Sequence, residues 1–185
     1  YRRAKNLRRA CEEIHQNSKG RFPQDREDLL AIGGIGPYTA SALMAIGRDR
    51  PELAVDANLE RVLARFYGLT SLKGTKLQKE IHQKFWAGEL FSEKDLVEIS
   101  YRDLNEALMD LGRVYCRAKR AHCEVCPLSQ KCRALHEGKV SEIPVKQDKL
   151  NSNKRREKHA LKLARFIVKD DKGRLLVYQK NEREW

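Results

Sequence analysis

No apolar run in the 185 residues approaches the roughly 20 needed to span a bilayer, and no secretory leader is visible. Internal repeats are absent, and so are low-complexity tracts before position 139. Acidic residues are in deficit: 26 Asp+Glu stand against 38 Lys+Arg, a net charge of +12. Such a balance points to a polyanionic partner, nucleic acid before membrane, although a merely soluble basic surface has the same count. Cysteine is sparse, and four of the five lie between positions 116 and 132. That clustering suits a metal site in a reducing compartment better than a disulfide framework. The length is enough for a proper core, in one domain or two small ones. Without Met at position 1, and with Trp185 following a strand-like run, we expect an excerpt of a longer chain.

What is present is mostly helical periodicity. Residues 1–17 predict a helix with Leu7, Ala10, Cys11 and Ile14 on one face; Cys11 reads as a small buried hydrophobe. Its other positions are basic, a solvated face or a phosphate contact. Ser18, Lys19, Gly20 and Pro23 end it. Asp25 is placed to cap a short helix over 26–32. Gly33, Gly34, Ile35 and Gly36 then turn the chain, and Pro37 takes the first position of a helix over 37–47. Two helices joined by a G-x-G turn make a helix-hairpin-helix. Its glycines let backbone approach a phosphate, and the N–H groups opening the second helix point at the anion. A turn with two glycines for steric reasons alone looks the same.

Asp56, Ala57 and Asn58 open the next helix, whose buried face is Leu59, Val62, Leu63 and Phe66. Asp is a favoured N-cap residue, so a cap is the simple reading of Asp56. Residues 76–87 predict a helix with Leu77, Ile81, Phe85 and Trp86 buried or half-buried, 95–99 a short helical turn, and 101–117 a strong helix carrying Leu104, Leu108, Leu111 and Tyr115. A basic linker is expected over 139–160. Strands follow over 161–169 and 174–180 around a turn at 170–173, the start of a second, β-containing domain.

Cys116, Cys123, Cys126 and Cys132 are spaced C-x6-C-x2-C-x5-C. Four thiolates can hold a structural zinc or an iron–sulfur cluster, and the spacing alone leaves both open. Arg117, Lys119, Arg120 and His122 lie between the first two. Ligation at both ends would fix that loop, so that its cations could meet phosphate.

The hairpin, the segment VDANLERV, the segment NEALMDLG and the cysteine spacing, in that order, resemble the helix-hairpin-helix DNA glycosylases over positions 1 to about 150. This superfamily includes endonuclease III and the adenine glycosylases. The resemblance implies a mainly α fold, a helix-hairpin-helix glycosylase domain over 1–138 with a cluster loop at 116–132. It also implies that the four cysteines hold a four-iron four-sulfur cluster, and that a monovalent cation sits on hairpin carbonyls. Where endonuclease III has a lysine that attacks the sugar, this chain has Tyr38, and adenine glycosylases usually have Tyr or Ser there. Tyr1, Arg3, Asn6 and Leu7, with the segment Ile143 to Lys146, also match the adenine branch, the MutY family. In that branch a basic linker leads into a Nudix-like domain, here 161–185.

The implied activity is hydrolysis of the N-glycosidic bond of adenine opposite 8-oxoguanine or guanine in double-stranded DNA. The protein would be a monomer with no membrane association, cytoplasmic with the chromosome, or nuclear or mitochondrial in a eukaryote. Asp56 would stabilise the sugar cation, Asn58 would position it, and Tyr38 would stand beside the leaving base. Gly34, Ile35, Gly36, Thr39, Arg3, Arg117, Lys119 and Arg120 would contact DNA. The family's proton donor is a Glu upstream of position 1, so these 185 residues alone are expected to be inactive. Two departures are visible. The usual hairpin L-P-G-[IV]-G here reads Ile32-Gly33-Gly34-Ile35-Gly36, which should loosen the turn. The usual D-G-N here reads Asp56-Ala57-Asn58, as in thymine-releasing T/G mismatch glycosylases, the second candidate activity. An endonuclease III-like lyase, a hairpin module that binds DNA without cutting it and a zinc-stabilised structural protein are the remaining candidates.

Overall fold

The computed structural model describes residues 1–18, 20–91, 96–97, 99–146 and 171–173. The chain divides into two compact units, Tyr1–Asp148 and Lys149–Trp185. Of the second, only 171–173 are described, a turn in which Gly173 has φ +74°. The strands expected over 161–169 and 174–180, most of the linker and residues 95 and 98 of the expected 95–99 turn lie outside the described residues.

The first unit is helical: α1 Arg2–Ser18, α2 Arg26–Leu30, α3 Pro37–Arg48, α4 Ala57–Tyr67, α5 Thr75–Trp86, α6 Tyr101–Val114 and α7 Arg133–His136, with 3-10 turns at Cys123–Val125 and Ser129–Lys131. Among the described residues no strand forms; one isolated parallel bridge joins Leu72 and Val145. None of the described helices is long and apolar enough to cross a membrane.

The main core gathers Leu59, Val62 and Leu63 of α4, Leu77, Ile81 and Phe85 of α5, and Leu104 and Leu108 of α6, with Leu53, Ala134 and Ile143. A smaller core under the hairpin holds Ala10, Leu29, Ile32, Ala40 and Met44. Asn105 is fully buried on α6. Its Nδ2 donates to the carbonyls of Glu52 and Tyr101, and its Oδ1 accepts from the Ala54 N–H at 2.8 Å. That one side chain ties α6 to the extended segment leading into Asp56.

Several expectations need correction. Cys11 is exposed and Leu7 is 67% exposed. The helix packs through Asn6, Ala10, Glu13 and Ile14, and at 100° per residue Leu7 falls at the edge of that face and Cys11 beyond it. Trp86 is 59% exposed, because it stands one residue past the Leu77–Ile81–Phe85 stripe; its ring meets Phe85 edge-on at 5.3 Å. Helix α2 stops at Leu30, and Asp25 holds its N-cap position without a side-chain cap bond.

Candidate functional site

The hairpin runs from the end of α2 into α3. The Ile35 N–H is used internally, donating to the Ile32 carbonyl at 3.1 Å, and the Ile35 side chain packs on the small core. Gly34 is exposed with φ +96°, where a side chain would be strained, and a Cβ there would stand 3.0 Å from Asn6 Cβ. Gly36 is the N-cap of α3 and Pro37 its first residue. Proline has no N–H, so Tyr38 and Thr39 carry the first-turn amides that a helix leaves without intrahelical partners. Both residues are exposed.

Asp56 is the N-cap of α4 in full. Its Oδ1 accepts from the Asn58 and Leu59 N–H groups, each at 2.8 Å, and its Oδ2 accepts from Asn58 Nδ2 at 2.9 Å. The carboxylate is half-buried. None of these bonds goes to Tyr38; α3, which carries it, and α4 both pack on α6.

Behind Asn58 stands Arg61, 7% exposed. It donates to Asn58 Oδ1 at 3.0 Å, to the Gly112 carbonyl at 2.8 Å, to the Cys116 carbonyl at 2.6 Å and to the Ala57 carbonyl at 3.0 Å. Burial pulls this guanidinium below the ordinary arginine range, while Cys116 and Asp56 act in the opposite sense. One turn on, Arg65 donates to the carbonyls of Ile143 and Arg117 and to Cys116 Sγ. A continuous set of bonds therefore joins the carboxylate of Asp56 to the loop that begins at Cys116. Arg61, Arg65 and Asn105 drew no attention as sequence. The two arginines stand at i and i+4 on the side of α4 opposite its apolar stripe, where sequence alone reads them as solvated charges.

The four cysteines are half-buried. They line one pocket with Arg65, Tyr115, His122, Ser129, Leu135 and Val140. Burial and the neighbouring Cys116, Cys132 and Cys126 push the Cys123 thiol up; burial does the same first at Cys132. Both shifts disfavour the thiolate form of these side chains when no cation stands beside them. Among the described residues no group of three or more His, Cys, Asp or Glu side chains is arranged to hold a metal ion. The donor set itself, four thiols facing one apolar pocket, fits a thiolate-ligated centre. Arg3, Arg117, Lys119 and Arg120 are all exposed.

The model of the helix-hairpin-helix motif matches residues 18–46. The chain is 31% identical over 154 residues to an adenine DNA glycosylase of Buchnera aphidicola (subsp. Schizaphis graminum), covering 80% of this chain and 41% of the relative. It is 33% identical to the adenine DNA glycosylase of Schizosaccharomyces pombe, covering 76% and 29%. The chain thus spans well under half the length of these relatives. A solved thermostable thymine-DNA glycosylase shares the fold with a TM-score of 0.57 and 27% identity, over 74% of this chain and 59% of that one. The hairpin motif, the relatives and the shared helical fold agree, and over its described helical unit the chain is similar to the helix-hairpin-helix DNA glycosylases.

Proposed function

We propose that this chain supplies the sugar-side half of the active site of an adenine DNA glycosylase in base-excision repair, acting on adenine opposite 8-oxoguanine or guanine. The observation that carries the reading is the Asp56 carboxylate, oriented by two backbone amides and Asn58 at the start of α4. A glycosidic bond inside the stack is out of reach, so the nucleotide is flipped out. The Gly34, Gly36, Tyr38 and Thr39 amides of the hairpin hold the backbone beside it, with a monovalent cation on hairpin carbonyls. Departure of the base leaves positive charge on the sugar. A preoriented carboxylate stabilises it, and water then adds at the anomeric carbon. Tyr38 in place of an amine nucleophile makes the reaction hydrolytic, without a Schiff base.

Cys116, Cys123, Cys126 and Cys132 would hold a four-iron four-sulfur cluster, whose contribution is structural. It fixes the loop that carries Arg117, Lys119 and Arg120, so that these cations and Arg3 meet phosphate at low entropic cost. Residues 1–138 form the glycosylase region, 139–160 a linker and 161–185 the opening of a Nudix-like domain. The protein works as a monomer wherever chromosomal DNA is kept.

The second reading, thymine release from T opposite G, is favoured by the Asp56-Ala57-Asn58 segment and by the 27% identity to the thymine-DNA glycosylase structure. The two are separated by incubating the protein that carries this chain with duplexes holding A opposite 8-oxoguanine or T opposite G. Free adenine from the first is expected. Free thymine from the second alone establishes thymine release, and a borohydride-trapped adduct establishes a lyase.

A further inference from the structure

Helix α1 meets the hairpin at a point that no catalytic step uses. The Gly33 N–H donates to Glu13 Oε2 at 2.7 Å, across twenty residues of chain. The other carboxylate oxygen, Oε1, accepts from Arg9 Nε at 2.9 Å, one turn back along α1. Side chains on a helix lean toward its N-terminus, which is how Glu13 reaches over Arg9 to the turn. One turn further back, Asn6 packs on Gly34. The carboxyl of Glu13 is held below the usual range first by the Gly33 amide and then by Arg9.

We propose that Glu13 is a positioning residue of the DNA-binding hairpin: its carboxylate clamps the Gly33 N–H and thereby sets the turn that presents Gly34, Gly36 and the first amides of α3 to a DNA phosphate. This rests on the reading of the hairpin given above. The clamp belongs to this chain's own turn. A proline at position 33 would stiffen the backbone by itself and would offer no N–H to hold. It would also need the space now taken by the clamp, since a Cβ on Gly33 would stand 2.7 Å from both Arg9 Nε and Glu13 Oε1. The turn therefore has a glycine held from outside where an internally rigid residue would also serve. Arg9 has a second task in this arrangement. An acidic group beside a phosphate site repels the ligand, and the Arg9 guanidinium on Oε1 offsets that charge.

The sign of one substitution separates this from a bland helix-surface role. If Glu13 only adds negative charge near DNA, Glu13→Ala and Glu13→Gln both tighten binding of a fluorescent 20-base-pair duplex at moderate salt. If Glu13 is a clamp, Glu13→Gln keeps an acceptor for the Gly33 N–H and binds at least as well as wild type, whereas Glu13→Ala weakens binding severalfold. Glu13→Ala also releases the flexible Arg9 side chain from its carboxylate partner, so Gly33→Pro combined with it has room once Arg9 swings away, and it recovers affinity. Hydrogen exchange of the Gly33 amide, measured without DNA, gives a second reading. It should speed up by tenfold or more in Glu13→Ala and little in Glu13→Gln. Unchanged exchange, or a Glu13→Ala variant that binds as tightly as wild type, overturns the clamp even if the Gly33→Pro variant fails to fold. A wild-type chain that fails to bind duplex DNA while its Gly33 amide is protected refutes the hairpin reading instead, and with it any positioning role toward phosphate.

Discussion

Replacing Arg61 by methionine tests whether α4 is held to the cysteine-bearing loop after α6 by its buried guanidinium. Four acceptors surround that group: the carbonyls of Ala57, Gly112 and Cys116 and Oδ1 of Asn58. The bonds to Ala57 and Asn58 stay within the first turn of α4. Those to Gly112 and Cys116 bind α4 to the end of α6 and to the loop beyond it. Methionine fills most of the volume but donates nothing. Hydrogen bonds to charged groups contribute roughly 1.5–3 kcal/mol each, and the two between elements put the expected loss at about 3–6 kcal/mol. Against a total stability on the order of 5–15 kcal/mol, that is a large share. Urea unfolding followed by far-UV circular dichroism, extrapolated linearly to zero urea, reads it directly. Arg61→Lys keeps the charge but can span fewer of the carbonyls, so it should fall between methionine and wild type. A methionine variant within about 1 kcal/mol of wild type would mean that water or a neighbour satisfies those carbonyls, and the coupling of Asp56 to the cysteine loop through Arg61 would be refuted.

Asp56→Asn retains an Oδ1 that can accept from the Asn58 and Leu59 amides. Asn is as good a cap as Asp, so in the longer protein that carries this chain folding and DNA binding should survive while base release falls by about a hundredfold or more; a fall of less than threefold would leave Asp56 as a cap only. Gly112→Ala places a Cβ 2.7 Å from Asn58 Cβ, against a backbone-bearing turn rather than a flexible tip. Overpacking of this kind costs about 1–3 kcal/mol, and an unchanged urea midpoint would contradict it. Burial holds His82 below its ordinary pKa of 6.5, reinforced by Arg26 and opposed by Glu52. The unfolded chain therefore binds this proton at higher pH than the folded one. Stability should drop as pH falls through 6.5 and level off below the depressed value. His82→Gln should flatten that slope in unfolding midpoints measured between pH 8 and 5. Acid-labile sulfide and iron assays on anaerobically purified protein should find both, and stoichiometric zinc without sulfide would replace the cluster by a zinc site.

How far the sequence reached depends on the range over which each feature is decided. Helix starts were legible where their determinants are local: Pro37 at the first position of α3 and the Asp56 cap of α4. The cysteine pocket was legible because spacing alone brings the four residues to one loop. Failures occurred where a packing angle decides. Leu7 and Cys11 fit a helical stripe by count, but the side of α1 that is buried is chosen by where Glu13 and Asn6 meet the hairpin. The loss of proline from the turn suggested looseness, and the compensating carboxylate sits twenty residues upstream with no local mark. Arg61 and Arg65 resemble solvated charges until the carbonyls at the end of α6, around Cys116 and at Ile143 are placed against them. Asn105 looks like an ordinary helix residue until its amide is found holding the segment ahead of Asp56.

That segment also alters how the choice between a cap and a catalytic group should be posed. The sequence set the two readings of Asp56 against each other, as if evidence for one weakened the other. In the folded chain the cap bonds orient the carboxylate. Oδ1 is fixed by two amides that α4 must satisfy in any case, and Oδ2 is fixed by Asn58, which is in turn fixed by Arg61. A group meant to stabilise a transient positive charge acts best when it need not reorganise as that charge appears. A helix start supplies this rigidity from bonds the fold already makes. Capping is therefore the structural means by which Asp56 becomes fit for the chemistry proposed for it, and the discriminating variant is the one that keeps the cap and removes only the charge.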